Sequence, residues 1–547
     1  MLPVVQGLRG LLAGSARPGS VLAAAACLAA VLVYLQPPTP WLRRGVVHVA
    51  PDGLDAWPGS TRALAVRTIQ RGVDMATAGE TVLIWPGVYR ETIRLRRAGS
   101  PGRPLILKAA VPGTALISGT AEPALTRSWR WISQGRRTFA TRVPWRVDAL
   151  RVDGGMAFRA GSPSLFDDVC QRPGAWPTFQ MTSGETLRLC LPDGSSPSQH
   201  RLEINREVPA RLRSGGHQVA SLWVEAPYVE IRDLVFDLPV TAAIQLWNTS
   251  HVRIVGNLFS GADVAINQSS GLGPLTDVVV AHNLSHCYPL YEWRRRGWLT
   301  WQQVYPYSNC SLTWMGGRDI QVWGNIITQA GDGIKLSPVG GLNTIEANLI
   351  AYTTDDGIEF DGPAINLAVR NNLFVDPWDS LGLSPVRQGP LRISSNVFLH
   401  SRQEPAHGNG VLLKLMGGPI HRVTVDHNLF VGHQLGWSVA DSPLSDFHMH
   451  NNLLLTVQRV EEGLHELPRM GWRHNRVVRF PPMAWPRPEQ GPAGLAQVLG
   501  RPSTPMRLTG LVPLAIKRPG PFWYRPGQEP ATRALLPLLG AGWIAPP

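Results

Sequence analysis

The chain is poor in lysine, in cysteine and in helical periodicity, and each shortage narrows what it can be. Only Lys108, Lys335, Lys414 and Lys517 among its 52 basic residues are lysines, so an amine able to lose its proton and act as a base has few possible positions. Five cysteines in 547 residues exclude a disulfide-dense miniature fold, and none has zinc-ligand spacing. Cys27 lies in an apolar run. Cys170, Cys190, Cys287 and Cys310 are an even set suited to an oxidising compartment, with Cys170–Cys190 and Cys287–Cys310 as reasonable pairs, although spacing alone leaves the connectivity open. Acidic residues are outnumbered 39 to 52, for a formal charge of +13, which favours anionic partners. There is no basic helix and no nucleic-acid motif, so nucleic acid is not expected among them.

Long hydrophobic runs are equally scarce. The one uninterrupted stretch, Val21 to Leu35, follows Arg9 and Arg17. Its fifteen residues would span about 22 Å as a helix, short of a bilayer core of about 30 Å but suited to a signal-peptide core. No small-x-small cleavage site follows, so the expectation is export with a short uncleaved membrane anchor, secretion after cleavage being the alternative.

What the chain does have is a repeat. A polar residue, usually Asn, followed by two mostly apolar ones recurs at Asp233, Asn257, Asn283, Asn325, Asn348, Asn372, Asn396, Asn428, Asn452 and Asn475. The steps are 24, 26, 42, 23, 24, 24, 32, 24 and 23 residues. Periods in this range mark a solenoid, in which each unit buries its apolar face against its neighbours. Within a unit the apolar residues alternate, as in Ile320 and Val322, Ile334 and Leu336, or Ile345 and Ala347, which is a strand pattern. Leucine-rich repeats lack their Leu-x-x-Leu-x-Leu signature here. The expected fold is all-β, a right-handed parallel β-helix with about three strands per turn. Asn is expected at the bend because it tolerates the left-handed conformation and its amide can bond along the stack.

At the start of the folded region Val66, Ile69, Val73 and Ala76 have helical spacing, as expected of a short helix capping the open end of the stack. Val49-Ala50-Pro51-Asp52-Gly53, Thr68-Ile69-Gln70 and Pro86-Gly87-Val88-Tyr89-Arg90-Glu91 resemble the opening turns of the pectate-lyase-like β-helix superfamily. The resemblance runs to roughly Val478. It implies the fold and leaves the reaction open among lyases, hydrolases, epimerases and non-catalytic proteins. The domain boundaries expected are 1–45 for the export signal or anchor with its linker and 46–120 for the cap and first turns. An inserted β-rich subdomain follows at 121–207, the main repeats at 208–479, and a Pro-rich cap or tail at 480–547.

Aligning the strand after each Asn puts Asp332, Asp356, Asp379 and Asn409 in one column and Ile334, Ile358, Leu381 and Val411 in the next. Lys335 and Glu359 then point outward from adjacent turns. Strand spacing of about 4.8 Å gathers Asp332, Asp355, Asp356 and Glu359 into one patch, and oxygen ligands so close suit Ca²⁺. The set resembles the calcium site of family 9 polysaccharide lyases, in which an Asp is followed one turn later by an Asp-Asp pair and three residues on by another Asp. The resemblance implies a Ca²⁺ held by Asp332, Asp355, Asp356 and Glu359, a uronate polymer as substrate, and a lysine base about two turns after the pair. By count along the chain Lys335 is one turn early, Lys414 is the nearest later lysine, and Arg387 is a third candidate base. Asp376-Pro377-Trp378-Asp379 is similar to the Asp-Pro-His-Asp motif of mannuronan C5-epimerases, with Trp for His.

The step of 42 residues adds about 18 to a turn of 24. It contains Trp293, Arg295, Trp298 and Trp301, whose rings and guanidinium would either bind the sugar rings and carboxylates of an acidic polysaccharide or fold down and bury the loop's own aromatics. The reading is an exported β-helix that binds or acts on an acidic polysaccharide, with Ca²⁺-assisted β-elimination as its reaction if it is catalytic. A non-catalytic glycan-binding or envelope protein is the main alternative, and a uronate epimerase the second.

Overall fold

The computed structural model describes residues 45–479 apart from 173–175, 183–184, 207–219, 240, 269–274, 288–293, 295–298, 301–302, 304–309, 401–411, 433–435, 441 and 457–468. The run Val21 to Leu35 and the Pro-rich segment 480–547 therefore lie outside the described residues. Among those described, no helix is long and apolar enough to cross a membrane.

Short alternating strands pair in parallel with the equivalent strands one turn later, and three faces result. Ile345 pairs with Val369, Val369 with Ile393, Ile393 with Val425 and Val425 with Met449. All five point inward and are buried. A second face stacks Ile334, Ile358, Leu381, Leu413 and Trp437 in the same way. Because the strand Ser311–Trp323 runs through both of these faces, they form one 21-stranded sheet, and the third face is a separate 12-stranded sheet. The chain is thus a right-handed parallel β-helix. Its third face stacks Phe374, Phe398 and Phe430 with ring centroids 4.5 and 4.7 Å apart. Each such buried ring contributes about 1.5–3 kcal/mol.

The Asn column forms a continuous buried ladder. The backbone N–H and Nδ2 of Asn348 both donate to Asn372 Oδ1, and Nδ2 also donates to the Val322 carbonyl. The same pattern repeats from Asn257 to Asn475. Two expectations change. The left-handed residue is the one before each Asn (Gly256, His282, Gly324, Ala347, Asn371, Ser395, His427, Asn451 and His474), so Asn is selected by its amide alone. The first copy is also shifted by one. Val235 pairs with Leu258, which puts Leu234 in the Asn column and Asp233, at φ 60°, in the left-handed position before it.

The helix Ile69–Met75 closes the N-terminal end of the stack. Thr68 caps it by accepting from Arg71 N–H, and the Glu91 carboxylate accepts from the N–H groups of Ile69 and Gln70, where the helix dipole favours an anion. Ile69, Gly72 and Val73 are its buried face. The inserted subdomain folds as two small antiparallel-rich sheets and the helix Pro163–Gln171, with its own core around Val147, Leu150, Phe179 and Leu189. Buried Arg151 ties it to the β-helix by donating to Asp237 at 2.7 Å and to Ser260 Oγ at 3.0 Å. The cysteines pair as Cys170–Cys190 and Cys287–Cys310.

Replacing Asn348 by Ala should remove the acceptor for Asn325 and leave buried backbone groups unmatched, costing about 3 kcal/mol. Urea denaturation should show this as a lower midpoint at unchanged slope.

Candidate active site

The acidic column lies where each strand of one face begins, and the register explains its density. Asp356 pairs with Asp379, Lys335 with Glu359, Glu359 with Gly382, and Gly382 with Lys414. Consecutive turns are one strand spacing apart, so carboxylates on three turns converge. Ligand oxygens of Asp332, Asp356 and Glu359 lie within 4.8 Å of one another, and so do those of Asp355, Asp356 and Asp379. All four expected ligands, Asp332, Asp355, Asp356 and Glu359, are in this cluster.

Two lysines hold it together. Lys335 Nζ lies 2.9 Å from Asp332 Oδ2 and 2.5 Å from Glu359 Oε2. Lys414 Nζ lies 2.5 Å from Asp356 Oδ2 and 3.3 Å from Asp355 Oδ1. The outward pairing of Lys335 with Glu359 holds, but the pair is no surface contact, since Lys335 is only 5% exposed. Breaking a pair so buried strands a charge away from water. Lys414 also stands two turns beyond Asp356. Counting residues hides this, because the last of those turns contains the step of 32. Arg387 is exposed, five residues further along its strand than Gly382, about 16 Å. The fold does not bring it into the cluster.

Crowding and burial set the charge states. Burial, reinforced by Asp355 and Glu359, pushes the Asp332 carboxyl up to about 7 despite Lys335. Burial raises Asp356 well above the usual carboxylate range, with Lys414 opposing and Asp355, Asp379 and Asp332 adding repulsion. Glu359 is raised by burial against the pull of Lys335. For Lys335, burial works to lower the pKa, but Asp332 and Glu359 override it and hold the ammonium above the ordinary lysine value. Lys414 is held up in the same way by Asp356, Asp355 and Asp379. Asp356 Oδ1 is buried without a hydrogen-bond donor among the described residues. A crowd of carboxylates with an orphaned buried oxygen fits a divalent cation, and Asp332, Asp355, Asp356, Glu359 and Asp379 are the residues that could hold it.

Three features escaped sequence reasoning. Gly382 leaves the gap the Asp356 carboxylate occupies, for a Cβ there would lie 2.3 Å from Asp356 Oδ2. Its signal was a glycine in an outward column of the strand alignment. Asp361, two residues past Glu359, has its carboxyl raised by burial, with Asp332 and Asp355 adding to the effect and Lys335 opposing it. Arg294 lies with its guanidinium carbon 3.5 Å from the centroid of the Trp378 ring, and both residues are buried. It brings one point of the long insertion beside Asp379. Trp293, Arg295, Trp298 and Trp301 lie outside the described residues.

No protein-family model matches the chain. Over 79 residues it is 34% identical to a pectate lyase, PEL9, of Emericella nidulans, a stretch that covers 14% of this chain and 19% of that protein. The chain thus spans about a fifth of this relative. Among solved structures, a complex of XylC with xylose gives a TM-score of 0.47 at 13% identity, covering 79% of this chain and 82% of that one. Pectate lyase Pel9A gives a TM-score of 0.33 at 11% identity, covering 73% and 78%. These likenesses are of fold alone.

Asp332 supplies a test of the crowding. Its carboxyl is raised in the folded state, so whatever it adds to stability is present below about pH 4 and is lost as pH rises through about 7. In chelator, Asp332→Asn should therefore gain in Tm relative to the unaltered protein between pH 5 and 8. A constant difference across that range would show that Asp332 does not titrate there.

Proposed function

We propose that the protein binds an acidic polysaccharide along the face bearing the carboxylate cluster and cleaves it by Ca²⁺-assisted β-elimination. The observation that carries this reading is the place of Lys414: two turns after the Asp355-Asp356 pair, with Nζ 2.5 Å from Asp356. Six carboxylates, of Asp332, Asp355, Asp356, Glu359, Asp361 and Asp379, face two lysines, so a polyanion would be repelled unless a cation intervened. Ca²⁺ bound by the Asp and Glu residues would neutralise a uronate carboxylate and acidify its C5–H.

The protein's own part is to deliver a neutral amine. A lysine base needs its pKa lowered, and in the cation-free cluster both ammonium groups are held protonated by their carboxylates. Once the carboxylates of Asp355, Asp356 and Asp379 are engaged elsewhere, Lys414 loses the charges that keep its proton. Lys335 is gripped from both sides and is the more deeply buried of the two, which suits a structural counter-charge. Lys414 would then remove the C5 proton. The electron pair forms the C4=C5 double bond, the C4–O bond breaks, and the departing oxygen takes up a proton. Trp378 carries no group that could return a proton to C5, so epimerisation is the poorer reading.

The apolar run Val21 to Leu35 and the two cysteine pairs support placing the β-helix outside the cytoplasm, tethered through its N-terminal segment.

On polygalacturonate or alginate with Ca²⁺, turnover should appear as absorbance of the unsaturated uronate. Lys414→Ala should lower kcat about 10³-fold, and Lys335→Ala should act mainly on stability. Tight glycan binding with no unsaturated product on either polymer would leave a non-catalytic binder. The cation claim has its own check: Ca²⁺ should raise the Tm of the unaltered protein, and Asp356→Asn should abolish that rise. Equal rises in both would remove Asp356 from the site.

A further inference from the structure

The outward column that carries the cluster also shows where a substrate chain would end. In register it reads Trp223, Gln245, Asn267, Trp314, Lys335, Glu359, Gly382, Lys414 and Ser438. Its first part is closed. Trp223, Gln245 and Asn267 are buried, and the two amides bond to each other, Asn267 Nδ2 to Gln245 Oε1 at 2.8 Å and Gln245 Nε2 to the Asn267 carbonyl at 3.2 Å. At Trp314 the column is 42% exposed, and at the neighbouring Lys335 it is buried again, at 5%. A single exposed apolar side chain is ordinary on a protein surface; what distinguishes this indole is its place in register beside Lys335 and Glu359 of the cluster.

Its surroundings hold it in place. Lys335 Nζ lies 5.1 Å from the centroid of the Trp314 ring, and two residues on, the Gly316 N–H donates to Gln268 Oε1 at 2.7 Å. The indole therefore stands at a set position one strand spacing from Lys335 and four from Lys414, about 19 Å along the stack.

We propose that Trp314 is a sugar-stacking platform at one end of the face that bears the cluster, binding the C–H face of a ring in a polysaccharide chain laid parallel to the β-helix axis. Lys414 acts near the other end, and the carboxylates lie between the two. This rests on the polysaccharide reading above and adds to it a direction and a minimum length. If each sugar unit advances by roughly one strand spacing, a chain with one unit at Lys414 and another at Trp314 spans four intervals and has about five or more units. Trp314 is then a positioning residue, contributing to binding of long chains and not to the chemical step.

The test uses the full-length protein with Ca²⁺ and galacturonate oligomers graded from the dimer upward, with alginate oligomers as a second series. Trp314→Ala should weaken binding and raise KM about tenfold for oligomers beyond the tetramer. It should leave the dimer and kcat unchanged, and Trp314→Phe should retain most of the affinity. An unchanged Tm would show that the loss is local. Equal loss at every length, or none at any length, overturns the platform while the polysaccharide reading stands. Failure of the unaltered protein to bind any oligomer of either series overturns both.

Discussion

The structure depends on parallel backbone hydrogen bonds between turns, which set every turn one strand spacing from the next. That spacing lets an inward Ile meet an Ile and a Phe meet a Phe through the whole stack, and it gives the Asn ladder its unbroken form. It also holds like charges closer together than solvated side chains would tolerate. A slip of one residue would turn the core column outward. The ladder resists such a slip, because each Asn amide is matched to one partner in the next turn.

The acidic cluster is the unfavourable consequence of that regularity. Asp332, Asp355, Asp356, Glu359 and Asp379 crowd one another, and burial disfavours the charged forms of Asp332, Asp356 and Glu359. The extensive apolar core and the rigid stack keep them together, with Lys335 and Lys414 offsetting part of the cost. Gly382 is the concession in the backbone, a missing side chain that gives the Asp356 carboxylate its place. An assembly that its surroundings hold in a costly arrangement is what a cation site or a catalytic centre requires.

Much of this was legible from the residues. The Asn period and the alternation of apolar residues are local signals, and they led to the columns of Asp332, Asp356 and Asp379 and of Ile334, Ile358 and Leu381. Asp233 was misplaced by one, because Asp is at home in the left-handed conformation and mimics the Asn that follows such a residue. The place of Lys414 was obscured because loop length changes the count along the chain without changing the number of turns. Nothing in the sequence separated the exposed Trp314 from the buried Trp378, or linked the latter to Arg294, since both relations depend on what lies across the turn.

The sequence by itself determined the solenoid, its period, the inward columns and the set of acidic residues that share a patch. Those properties follow from periodicity, and periodicity is written along the chain. Only the tertiary structure decided which lysine reaches which carboxylate, how deeply the charges are buried, and that Trp314 stands exposed in the outward column. These depend on distances between turns and on exclusion of water, which no spacing along the chain records.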